Sequence, residues 1–585
     1  NFELVKYLIN LHIIDITAKN NNRETILHEA CRSGNLELVK YLIELKQFDL
    51  KSKNYCDETL LHLATKSKNF ELLKYLIGFN QIDVNAIDNH KNTILHLACE
   101  YDNLDQVKFI IKLDQIDVSA KNKYGENALH FACKNGILDI AKYLIGLNKI
   151  DLKDLNKYQE SILHLSCKSG NEKLVKYIIS LNVVDILSIN DSNETILHPA
   201  ADSKNLNLMN YLLKLNKVDI NAKDKYDRTI LYTAVTDDNI ELVKLLSKQK
   251  GIDFTVKDDD NTNLLMEACE TGDLELVKFL LEQTQYDLKA RNNDQKTVIH
   301  FACESGKIEL VDFLISKKNV EVQVKDQDGE TALHYACDSK NMDLVKYLLS
   351  YKQIDLNAKG YNKETILHKI CKAGNLNLVR NIVSLHRANL NELDDYNKTI
   401  IHHACESENL ELVQYLINLN EIDIIPKEEY SRTILHSACI SGDVEIVRYI
   451  VSLEKININT QDTDYATPLH VACKYDYYEI AEFLLSLPQI DVNIQNDSKK
   501  TPLHLSIYYN NTDVIDLLLS HKGIDVSILG DDKKTALHYA CEKGNLEIVK
   551  LLLKKEELDV CAIDNDNKTL LHYACKSGNI ELVKY

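Results

Sequence analysis

Thr25-Ile26-Leu27-His28-Glu29-Ala30-Cys31-Arg32-Ser33-Gly34-Asn35-Leu36-Glu37-Leu38-Val39-Lys40-Tyr41-Leu42-Ile43 returns, with variations, along the whole chain. Stepping forward by 34 from Thr25 reaches Thr59, Thr93, Asn127, Ser161, Thr195, Thr229, Asn263 and Thr297. The same step continues through Thr331, Thr365, Thr399, Thr433, Thr467, Thr501, Thr535 and Thr569. These are 17 anchors with no insertion or deletion between them, and each is a residue that caps helix N-termini well. Two residues after each anchor stands Leu, or Ile at Ile299 and Ile401.

Each unit reads as two helices and a turn. The anchor opens a short helix, Ile26 to Cys31. Gly34-Asn35 then breaks it, Gly suiting a helix end and Asn the next cap. A second helix follows from Leu36, its apolar residues spaced i, i+3, i+7 with Glu37 and Lys40 outside. After it come a short extended segment, Phe48-Asp49-Leu50, and a polar turn, Asn54-Tyr55-Cys56-Asp57-Glu58. Asn or Asp fills the first turn position in 14 of 17 units, because these side chains close their own turns.

Turn, helix, helix at this period, with Thr-x-Leu-His-x-Ala, resembles the ankyrin repeat. Thr467-Pro468-Leu469-His470-Val471-Ala472 and Thr501-Pro502-Leu503-His504 carry the resemblance most directly. The family's period is about 33; the extra residue here falls between second helix and hairpin, where Lys46-Gln47-Phe48-Asp49 stands. The family's turn Gly stands only at Gly125 and Gly329. The expected fold is an all-α repeat solenoid of stacked ankyrin repeats with short β-hairpin-like loops. Its expected divisions are a partial repeat (second helix and loop) at 1–19, sixteen 34-residue repeats at 20–563 and a truncated repeat at 564–585. A unit of this size cannot bury its apolar face alone, so stability should be mainly nearest-neighbour.

Composition narrows the function classes. The net charge is −19 and the pI about 5.5, against a phosphate-binding nucleic-acid protein or an anionic-membrane binder. No apolar run approaches a membrane span. Only five prolines and 17 glycines occur, and no linker divides the chain. The fifteen cysteines are expected one per repeat in a buried slot, which suits a reducing compartment.

Repeated residues invite chemical readings. A His stands three residues after 15 of 17 anchors, and in twelve units a Cys follows it by three. A structural zinc needs four converging ligands, and no second pair lies nearby in a unit. The resemblance implies instead that this His hydrogen-bonds within and between hairpins, with the Cys a small buried hydrophobe. Thr65, Ala201, Val235 and Ile507 occupy the same slot. The second-helix aromatic, Tyr7, Tyr41, Tyr75, Phe109 and onward to Tyr585, gives way to Leu at Leu245, Leu517 and Leu551, and reads as packing with its hydroxyl in water. No phosphate loop, nucleophile elbow or metalloprotease helix appears. No catalytic residue, metal ligand, cofactor or small-molecule substrate is expected.

The expected function is a protein-interaction scaffold in the cytoplasm, with the nucleus also open, binding through what the resemblance implies is a concave hairpin and first-helix surface. The alternative is the regulatory or targeting ankyrin region of a larger enzyme, a kinase or ubiquitin ligase, or of a membrane channel or adaptor, with the other domains outside this sequence. Departures from the pattern run from Thr195 to Cys269, with Pro199 in a first helix and Tyr232 and Met266 in the His slot. Asn381 and Asn389 depart in the Thr365 unit. The resemblance also marks Asn85, Asn221, Asn357 and Asn493 as positions of the kind that are sometimes hydroxylated. The candidate contact residues are tyrosines: Tyr396, Tyr430 and Tyr465 at hairpin tips, and Tyr475, Tyr508 and Tyr509 at first-helix ends. Exposed tyrosine combines apolar area with a polar tip and little entropy to lose.

Overall fold

The computed structural model describes residues 5–6, 9, 15–79, 81–113, 115–424, 428–555 and 558–585. Tyr7 and most of the partial repeat at 1–19 lie outside the described residues. The chain forms two compact units, Asn1–Asp287 and Leu288–Tyr585. Each is an all-α repeat solenoid, and the described residues hold 34 α-helices in seventeen pairs.

In fourteen of the seventeen described pairs the anchor starts the first helix by a local exchange. Thr25 is extended (φ −92°, ψ 171°) and its side chain takes the N–H of His28, while the His28 side chain takes the N–H of Thr25. This is a capping box with His in the place of the usual Glu or Gln. It runs Ile26–Arg32 into the core with Leu27, His28, Ala30 and Cys31 buried. Gly34 ends it at φ +71°, where a Cβ would stand 3.2 Å from Ser67. Asn35 then caps Leu36–Glu44 by accepting the Leu38 N–H at 3.0 Å. That helix buries Val39 and Leu42, each worth about 1.5–3 kcal/mol of transfer free energy.

Four sets of bonds tie a repeat to the next within each unit. Cap asparagines reach back to the preceding repeat: Asn69 Nδ2 donates to the Gly34 carbonyl and Asn341 Nδ2 to the Gly306 carbonyl, both at 2.7 Å. Hairpin tips form a backbone ladder, as in Lys123 N to His90 O (2.7 Å) and Thr463 N to Tyr430 O (2.7 Å). Asn221 donates to the Gly251 carbonyl (2.8 Å) and accepts from Asp253 N (3.0 Å). Asn357 and Asn493 make the same pair of bonds, and Asn85 donates to the Gln115 carbonyl. Asn391 and Asn459 do likewise although no Asp stands two residues before them. Finally, a second-helix cation covers the aromatic ring of the following repeat: Lys176 lies 4.8 Å from the Tyr211 centroid, and Arg448 4.5 Å from that of Phe483.

Several expectations change. The extended segment forms no strand among the described residues; two isolated antiparallel bridges occur, Lys257 with Asn263 and Ile563 with Thr569. Cys56 and Cys561 stand outside the buried slot and are exposed, Cys575 is exposed within it, and Cys337 is half-buried. The missing turn glycines are replaced by residues held in the same left-handed region, from Arg23 (φ 61°) to Tyr465 (φ 56°). The second-helix aromatic is more than filler: beside the cation pairs above, the Tyr347 hydroxyl donates to Asp312 at 2.5 Å.

Candidate functional site

The anchor histidines are committed to structure. Thr59 N–H can only donate, so His62 Nδ1, 3.2 Å away, is the bare nitrogen and the proton sits on Nε2. That Nε2 lies 3.1 Å from the Asn92 carbonyl, thirty residues on; His96, His368, His436 and His470 repeat the contact at 3.0–3.2 Å. Burial pushes His130, His334, His368, His402, His470 and His504 down to about 4. Burial likewise pushes the Cys133 and Cys473 thiols up to about 12, away from the reactive thiolate. Burial thus holds the histidines and thiols named above towards their neutral forms.

The six candidate tyrosines are 39–58% exposed. Tyr475 and Tyr509 fill the same slot, eight residues after their anchors, at the ends of Pro468–Tyr475 and Pro502–Tyr509. Both helices start with Pro at their first position, where its missing N–H costs nothing. Both then end on a left-handed residue, Asp476 and Asn510. The two rings line one concavity of about 370 Å³. Val471 and Leu505 supply its apolar floor, Lys474 and Lys500 its cations, and Asp464 and Asp497 its hairpin rim.

Arg432 also lines this concavity and connects it to the tips. Its guanidinium stands 5.3 Å from the Tyr430 ring centroid and its Nε 3.4 Å from Asp462. Glu428 lies 3.8 Å from the same Nε, and burial raises its carboxyl above the usual range. Tyr508 points to a second cationic spot, with Lys543 Nζ 4.0 Å and Lys500 Nζ 4.4 Å from its ring centroid. The Tyr508 and Tyr509 rings meet edge to face at 5.2 Å.

The geometry thus brings Tyr475, Tyr508 and Tyr509 together and links Tyr430 to them through Arg432. Tyr396 sits one rung away on the tip ladder, where its carbonyl accepts from Glu429 N. Neither Tyr396 nor Tyr465 is among the residues lining the concavity. Sequence reasoning passed over Tyr477, which stacks on Tyr475 at 5.9 Å and donates its hydroxyl to the Ile440 carbonyl at 3.3 Å. The available signal was its place at a second-helix N-cap, where most repeats have Asn or Asp.

The family model described as "Ankyrin repeats (3 copies)" matches repeatedly from residue 1 to 258 and from 265 to 585. No curated protein sequence matches the chain. The solved structure of the human ASB11 ankyrin repeat domain aligns over 38% of this chain and 97% of its own length, at 22% identity and a TM-score of 0.34.

Proposed function

Because this chain belongs to the ankyrin-repeat family, we propose that it is a protein-interaction scaffold whose main contact area is the hairpin and first-helix face around Tyr475, Tyr508 and Tyr509. Ankyrin repeats are generally protein–protein interaction modules, and their fold is typically non-catalytic. No described helix is long and apolar enough to cross a membrane.

The observation that carries the reading is the pair of exposed tyrosines in one slot of two adjacent repeats, walling a single concavity. Aromatic rings beside cations and an apolar floor are the composition of interface centres. Tyr396, Tyr430 and Tyr465 extend the same face along the tips.

The test replaces Tyr475, Tyr508 and Tyr509 with Ser and repeats affinity capture against the wild-type chain. Loss of central tyrosines should cost about 2 kcal/mol or more, roughly thirtyfold in affinity. A folded triple variant that holds every partner at wild-type strength overturns this reading.

A further inference from the structure

Three side chains, Glu364, Asp394 and His403, converge on one point in the Thr365 and Thr399 repeats. In five repeats the first turn residue is an Asn that hydrogen-bonds the Glu just before the anchor. Asn54 Nδ2 donates to Glu58 at 2.8 Å and to Glu24 of the preceding repeat at 2.9 Å. Asn156 and Asn190 donate to Glu160 and Glu194, both at 2.7 Å. Glu364 has the same position and neither donor. Its own turn residue is Gly360, where a Cβ would fall 2.8 Å from Glu330 Cγ. The next turn residue is Asp394, an acceptor in place of a donor.

The third side chain is His403, which follows the anchor histidine His402 and takes a slot mostly filled by apolar or aromatic residues. Its Nε2 lies 3.0 Å from Asp394 Oδ2, and both side chains are almost wholly buried (4% and 0% exposed). Asp394 Oδ1 is already spent on the N–H groups of Tyr396 and Lys398. One ligand atom from each of Glu364, Asp394 and His403 lies within 4.8 Å of the others.

Among the described residues no lysine or arginine pairs with either carboxylate. The Glu364 side chain makes no hydrogen bond or ion pair with a described residue. The nearby lysines are engaged elsewhere, Lys369 with Glu330 and Asp338 at 2.7 Å and Lys398 with Glu406 at 2.8 Å. His368, whose ring is 5.4 Å away, spends both nitrogens on Thr365 and the Lys398 carbonyl. Where Glu precedes Asp in other repeats, each carboxylate has its own donor. Glu58 has Lys66 and Asn54, Asp88 has Asn92, Glu194 has Asn190 and Asp224 has Arg228.

We propose that Glu364, Asp394 and His403 bind one divalent transition-metal ion, zinc by ligand type. One borderline imidazole nitrogen and two hard carboxylate oxygens are all ligand types that zinc accepts. Ligands about 2.0–2.2 Å from zinc stand about 3.4 Å apart in a tetrahedron, so the 3.0 Å His403–Asp394 contact opens only slightly. Binding replaces the proton between them and cancels the two negative charges. Glu364 also lines a cleft of about 430 Å³ between the Thr331 and Thr365 repeats.

The test uses the whole chain, stripped with chelator, dialysed against micromolar zinc chloride and analysed for metal. Zinc held by exposed cysteines such as Cys56 and Cys561 would be common to every variant, so the difference between chains is the readout. His403→Tyr is the control, because Tyr335 and Tyr573 occupy this slot and bond their turn Asp at 2.6 and 2.5 Å within the same fold. Wild type should hold about one zinc more than His403→Tyr and Asp394→Asn, and zinc should raise only the wild-type melting temperature. Glu364→Gln, at a half-buried position, should weaken binding at least tenfold and serves if the other variants fail to fold. Equal zinc in wild type and the folded variants overturns the site.

Discussion

The repeat anchored at Thr93 and the repeats anchored at Thr229 and Asn263 lie in the same unit and build the same helix pair by different chemistry. At Thr93, His96 takes the anchor N–H on Nδ1 and reaches the Glu126 carbonyl with Nε2. At Thr229, the buried Tyr232 sends its hydroxyl within 2.9 Å of both Asp258 and Glu267, and burial beside those carboxylates pushes its phenol far up. At Asn263, Met266 offers no bond; the anchor side chain itself takes the N–H groups of Leu265 and Met266, and its backbone pairs with Lys257. The fold therefore requires a satisfied anchor and a filled slot, and histidine is one solution among three. What the histidine adds is a titratable group that the core tolerates only when neutral.

The largest effect should test whether the two kinds of repeat are equally well packed. Leu95 and Leu231 hold the same slot and are both buried. Leu95→Ala and Leu231→Ala should each cost about 2–5 kcal/mol. Hydrogen exchange should show protection lost in the substituted repeat and its neighbours. Loss spread evenly over Asn1–Asp287, or a nearly free Leu231→Ala, breaks the equivalence.

Acid should separate them. A buried histidine at about 4, such as His470, has a folded pKa below its unfolded value of about 6.5. The unfolded chain then binds more protons between those values, so the stability is present above about pH 6.5 and lost as pH falls towards 4. The limit is about 3 kcal/mol per histidine. Burial lowers His96 in the same direction. Exchange at pH 7 and pH 5 should show repeats such as Thr93 and Thr467 losing protection while the Thr229 and Asn263 repeats keep more of theirs. A uniform loss would place the acid sensitivity elsewhere.

The smallest effect concerns the substitute link. Tyr232→Phe keeps the ring and removes the shared hydroxyl, which should cost about 1 kcal/mol by urea unfolding. A neutral result would show that Asp258 and Glu267 find water instead, and that packing alone serves this repeat.

Much of this was legible beforehand. The anchors, Gly34-Asn35 breaks and buried leucines follow from period and residue type, and each appears where the pattern placed it. The positions of Tyr475 and Tyr509 followed from the same count. Arg432 and Tyr477 did not, because their nearness to that surface depends on side-chain reach across repeats. Cys56 escaped the slot argument because it is a turn residue that shares only its type with Cys31.

Interactions that act within four residues were settled by the order of amino acids alone. Thr25 with His28 and Asn35 with Leu38 cap their helices through contacts three residues apart. The other halves of the same side chains were settled only by stacking. Asn69 Nδ2 finds Gly34, His62 Nε2 finds Asn92 and Lys176 finds Tyr211, at separations of 30 to 35 residues. The physical reason is reach. A cap's partner is brought near by the helix it starts, whereas a partner one repeat away is brought near only when apolar faces have already packed, and that packing fixes which carbonyl or ring each free donor meets.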